Sequence, residues 1–145
     1  MSYIGWRTEL LAKLALSRLQ GITITEQPLN GQFDFSVMTS DGFSFLLEVK
    51  GLSSMREKIR DIETVSELRW RVQTKVLKRA KTMRCPVVLF LFDADTEHGR
   101  YLRIDNLRLV AAAVQTQSIR IPLENVINNE GLHRMLTELE ADSQK

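Results

Sequence analysis

A single cysteine, Cys85, stands in the 145 residues, so no intrachain disulfide can form. It precedes Pro86 beside an apolar stretch, the setting of a buried, inert thiol, and this agrees with a reducing compartment. The two histidines, His98 and His133, are far apart and have no metal-ligand spacing around them. Neither forms a triad pattern with Cys85 or a serine, and paired-cysteine zinc motifs and glycine-rich phosphate loops are missing too. The longest apolar run, Val87 to Phe92, has six residues, whereas a membrane helix needs about 20. Leu10 to Leu19 is leucine-rich, but Glu9 precedes it and Lys13 and Arg18 interrupt it, which a secretory signal core does not tolerate. The expected location is therefore the cytoplasm, with no membrane partner. No internal repeat or low-complexity segment occurs.

What is present is the composition of an ordinary globule, with 43% hydrophobic and 26% charged residues. The length predicts one domain over residues 1–145, large enough to fold without metal or disulfide staples, so any metal would serve function. The net charge of +2 conceals an uneven distribution. Between Leu68 and Arg84 lie Arg69, Arg71, Lys75, Lys78, Arg79, Lys81 and Arg84 with no acidic residue among them, while the tail from Pro122 leans acidic.

Helical recurrence of Leu10, Leu11, Leu14, Ala15 and Leu19 predicts a first helix over about Gly5 to Leu19, ended by Gly21. Ile22 to Thr25 alternates and is β-branched, a short strand. Phe33 to Thr39 puts Phe33, Phe35 and Val37 on one face and Asp34, Ser36 and Met38 on the other. Phe43 to Lys50 likewise separates Phe43, Phe45, Leu47 and Val49 from Ser44, Leu46, Glu48 and Lys50. Gly51 to Glu63 reads equally as a loop or a short helix. Val65, Leu68, Val72, Val76, Ala80 and Met83 predict one long amphipathic helix from near Thr64, with the cations outward. Val87 to Phe92 predicts a mid-sheet strand, Tyr101 to Ile104 and Ser118 to Ile121 further short strands, and Glu130 to Leu139 a last helix. The order is that of an α/β protein with a mixed sheet.

The loop Ser40-Asp41-Gly42 fixes a register. A three-residue hairpin loop favours glycine at its third, left-handed position, so Thr39 faces Phe43 and, counting outward, Asp34 faces Glu48. A two-residue Asp41-Gly42 turn would send the carboxylates to opposite faces; the longer loop is preferred because it groups the phenylalanines. Two facing carboxylates repel, and a structure that buries them usually supplies a cation. Asp34 and Glu48 are hard oxygen ligands suited to Mg²⁺ or Mn²⁺. Lys50, on the same face, brings an ammonium close enough to orient or deprotonate an attacking water, a set equipped for phosphodiester hydrolysis.

With Glu9 on the preceding helix, Asp34 on one strand and Glu48-Val49-Lys50 on the next, the chain resembles the PD-(D/E)xK phosphodiesterases of the restriction-endonuclease-like superfamily. It is most similar to their small bacterial domains of unknown function, which open with an Arg-x-Glu helix; Ile121 to Asn125 resembles their C-terminal part. The resemblance implies a core of helix, three-stranded antiparallel meander, helix and strand. It implies metal binding by Asp34 and Glu48, catalysis by Lys50 and a supporting contact from Glu9. The proline commonly written before the first acid is Phe33 here. Arg71, Lys75 and Lys78, expected on one helix face, suit a phosphate backbone, with Gln73 an accessory residue at its edge. The predicted activity is a metal-dependent nuclease acting on DNA, with a homodimer or separate specificity subunit for cutting both strands. A catalytically silent nuclease-fold module that binds nucleic acid or a partner protein is the alternative. Trp6 and Trp70 are expected to pack in the core or on a partner, and Asp93-Ala94-Asp95 to form a turn.

Overall fold

A computed structural model describes residues 3–26, 33–52, 67–110 and 115–143. The first helix, α1 (Tyr3–Ser17), is followed by β1 (Ile22–Glu26), β2 (Phe35–Thr39) and β3 (Ser44–Leu52), an antiparallel meander. Gly21 takes a φ of 72° at the turn into β1. Gly42, at φ 89°, closes the β2–β3 loop, where the Thr39 N–H donates to the Phe43 carbonyl at 2.8 Å. Phe35 pairs with Leu47 and Val37 with Phe45, the register of the three-residue loop. One step further out the regular ladder ends: the Asp34 N–H donates at 3.0 Å to the carbonyl of Leu47, the residue already paired with Phe35, so the expected Asp34–Glu48 pair is not part of the strand register.

The apolar run forms β5 (Val87–Asp93), buried along its whole length and lying between β3 and β6 (Gly99–Arg103) in a five-stranded sheet ordered β1-β2-β3-β5-β6. The β3–β5 pair is parallel and the others antiparallel, giving the mixed sheet. Helices α1 and α3 (Asn129–Ser143) bury one face, with Leu16 and Leu132 packed beside Phe45 and Phe90. The opposite face is covered by α2 (Thr74–Lys81) and by a two-stranded ribbon of β4 (Glu67–Gln73) and β7 (Thr116–Pro122).

That ribbon corrects the long helix expected from Thr64. Leu68 and Val72 fit a helical spacing, but with Trp70 they also alternate, and they meet Ile121, Gln117 and Ile119 across β7. Strand pairing takes the segment to Gln73, and helix begins only at Thr74, where Val76, Leu77 and Ala80 are buried. A second correction concerns Phe33. It precedes β2 and packs in the cluster under the ribbon, away from Phe35 and Phe45, so the phenylalanines are divided between two faces. Trp6 is exposed rather than in the core, while Trp70 packs against the ribbon-side cluster. The segment read as loop or short helix lies, beyond Leu52, outside the described residues. Cys85 is half-buried, and burial pushes its thiol pKa up, assisted by Asp105. Among the described residues no helix is long and apolar enough to cross a membrane.

Candidate active site

The acids meet where α1 crosses β3. At Gly51 a β-carbon would stand 2.3 Å from the Thr8 methyl and 3.0 Å from the Ile4 side chain, so only glycine admits the helix this close. Thr8 is buried there, its hydroxyl donating to the Gly5 carbonyl at 3.1 Å. The next residue, Glu9, reaches hydrogen-bonding contact with Asp34. Asp34 lies beyond the last paired residue of β2, and its Oδ2 accepts the Val49 N–H at 2.7 Å. Glu48 is only 7% exposed and also meets Asp34 at hydrogen-bonding range. Lys50 places its Nζ 3.7 Å from Glu48 Oε1, with about half of its own side chain in solvent.

Glu9, Asp34, Glu48 and Lys50 are therefore brought together, and Asp34 is the hinge of the group. Burial, and then the neighbouring Asp34, push the Glu48 carboxyl from 4.5 to about 8, although Lys50 and Arg79 act in the opposite direction. Glu9 is raised by the same two causes, burial first. Paired carboxyls in contact must share a proton or a cation. Among the described residues no three His, Cys, Asp or Glu side chains form a ready coordination shell; the contacts run pairwise through Asp34. Two hard carboxylates completed by water are nevertheless the donor set that Mg²⁺ and Mn²⁺ accept.

Two arginines near this cluster were not singled out in the sequence. Arg79 of α2 lies close enough to favour the Glu48 carboxylate. Arg100 stands in one row with Lys50 and Leu91 across β3, β5 and β6, and shares their face of the sheet. Among the described residues its Nε is buried without a hydrogen-bond partner, and Nη1 donates to the Gly99 carbonyl at 3.0 Å. No local pattern marks Arg100; only the β5 pairing brings it into the row.

The basic residues divide. Gln73, Lys75 and Lys78 line an open cleft of about 400 Å³ together with Thr74 and Thr116. Arg71 does not share their helix face as expected, because it lies on β4 and donates from Nη1 to Thr116 Oγ1 at 3.0 Å. A larger cavity, about 510 Å³ between β6 and α3, contains none of the clustered acids. Asp93 is occupied by its turn, accepting the Asp95 N–H at 2.8 Å. His98 and His133 are exposed.

No protein-family model matches the sequence, and no curated protein matches it. Among solved structures, the chain is similar to Hjc, a Holliday junction resolvase from the archaeal hyperthermophile Archaeoglobus fulgidus. The likeness has a TM-score of 0.50 at 14% identity and covers 79% of this chain and 82% of Hjc. The fold is the restriction-endonuclease-like fold, as the resemblance to the PD-(D/E)xK nucleases implies.

Proposed function

We infer that the protein is a metal-dependent nuclease that hydrolyses phosphodiester bonds in DNA. The observation that carries this reading is the convergence of Glu9, Asp34, Glu48 and Lys50, from a helix and two strands, in a fold shared with a DNA junction resolvase. Asp34 and Glu48 would hold Mg²⁺ or Mn²⁺, with Glu9 supporting Asp34. A divalent ion bound there would acidify water and neutralise charge on a phosphoryl oxygen. The chain's own part is positional. The Val49 N–H orients the Asp34 carboxylate at 2.7 Å, and burial of Glu48 keeps bulk water from solvating it. Lys50, at 3.7 Å from Glu48 and half in solvent, orients the attacking water and meets charge that develops on the phosphate. Lys75 and Lys78 hold the backbone through contacts that carry no sequence information. One acid cluster per chain cuts one strand, so severing both calls for a homodimer or a second subunit.

The test is cleavage of labelled linear duplexes and four-way junctions with Mg²⁺ or Mn²⁺. Wild type should cut at least one form, and Asp34→Ala and Lys50→Ala should lose at least a hundredfold in rate with unchanged circular dichroism, the scale of a lost positioned catalytic group. Intact substrates with both ions overturn the catalytic reading and leave the silent nucleic-acid-binding module.

A further inference from the structure

The β4–β7 ribbon has two unlike faces. Its inner residues, Leu68, Val72, Ile119 and Ile121, are buried against the sheet. Its outer residues pair as Arg69 with Arg120, Arg71 with Ser118 and Gln73 with Thr116, and all three arginines are exposed. Two like charges directly opposite on adjacent strands repel, and a fold gains nothing internal from that placement. The only described ion pair on this face joins Arg120 to Glu67 at 3.4 Å, at the far end of β4; among the described residues neither Arg69 nor Arg71 has an acidic partner. A hollow of about 400 Å³ opens beside Arg69, Arg71 and Ser118, and the cleft of Lys75 and Lys78 continues the positive surface past Gln73. Apart from Glu67 at one end, the described side chains on this surface are cations and neutral hydrogen-bonding groups, the complement of phosphate and base edges.

We propose that the outer face of this ribbon docks duplex DNA, with Arg69 and Arg120 on phosphates and Arg71, Ser118 and Gln73 facing the groove. A two-stranded β-ribbon fits the major groove of B-form DNA, whereas the major groove of A-form RNA is too deep and narrow for side chains to read. The surface is separate from the acid cluster. It rests on the nuclease reading only in the choice of partner, and a protein that never cuts could still use it.

The experiment measures affinity for a 30-base-pair DNA duplex, without divalent ions, over a salt series. It compares wild type, Arg69→Gln/Arg120→Gln, Arg69→Lys/Arg120→Lys and Arg18→Gln. The glutamine pair should weaken binding at least tenfold and flatten the slope of log affinity against log salt by roughly 2, about 0.9 for each lost phosphate contact. The lysine pair should keep the slope, and Arg18→Gln, which removes an exposed cation from the end of the first helix, should bind as wild type does, which ties the loss to the ribbon rather than to net charge. Circular dichroism of the glutamine pair should match wild type, since both positions face solvent. An unchanged slope in the glutamine pair overturns the proposal. So does equal affinity for duplex RNA or single strands, or an equal loss of duplex binding in Arg18→Gln.

Discussion

Glu48→Gln should make the metal-free protein more stable at alkaline pH while abolishing its response to Mg²⁺. In the native state the carboxyl titrates near 8 rather than 4.5, because it is buried against Asp34. Below pH 4.5 both the folded and unfolded chains carry the proton, and this group's contribution to stability is fully present. As pH rises toward 8 the unfolded chain releases the proton and the native chain keeps it, so stability falls across that window. At about 1.4 kcal/mol per pH unit, the loss between pH 5 and 8 is on the order of 3–4 kcal/mol, or roughly 10 °C in Tm for a chain this size. Glu9 is raised by the same causes and adds a change of the same sign. Glutamine stands in for the protonated acid, since its amide can donate to Asp34. Thermal unfolding in EDTA at a series of pH values should show a steep decline for wild type and a shallow one for Glu48→Gln. Mg²⁺ competes with the proton, so it should raise the wild-type Tm more at pH 8 than at pH 5 and leave the variant's unchanged. Equal pH slopes in the two proteins, or a Mg²⁺ effect that ignores pH, would refute the reasoning.

Gly51→Val should cost roughly 1–3 kcal/mol by overpacking against Thr8 and Ile4, read by urea denaturation, and Thr8→Ala should restore part of it. Arg100→Ala should slow cleavage about tenfold or more in single-turnover assays with little change in Tm, because its buried Nε has no hydrogen-bond partner among the described residues and only the Nη1 bond to the Gly99 carbonyl is lost. Leu16→Ala, in the core between α1 and the sheet, should destabilise by about 2–5 kcal/mol in chemical unfolding, and should leave the Lys50-dependent rate intact once folded.

The hairpin register was legible because its determinants are local: Gly42 selects the loop, and the loop sets which residues face each other. It brought Asp34 to the end of the strand beside Glu48, with Lys50 two residues on, although regular pairing stops at Phe35 and Asp34 bonds to the Leu47 carbonyl instead. The buried strand at Val87 to Asp93 was readable for the same reason, as an unbroken apolar run of strand length. The ribbon was not. Leu68 and Val72 satisfy both a helical and an alternating period, and the choice is made by Ile119 and Ile121, about fifty residues away in sequence. With that pairing hidden, Arg71 was put on a helix beside Lys75 and Lys78 instead of on a strand face beside Arg120. Phe33 was misread because alternation was carried one pair beyond the end of β2, where the chain has already turned toward the other cluster. Arg100 enters the Lys50 row only through two successive strand pairings that no local motif encodes.

Manganese titration followed by electron paramagnetic resonance at pH 8 asks most directly whether the acids form an ion site. The account predicts one Mn²⁺ bound per wild-type chain at submillimolar concentration, displaced by excess Mg²⁺ and lost in both Asp34→Asn and Glu48→Gln. Free Mn²⁺ throughout the wild-type titration, or equal uptake by the variants, would contradict it.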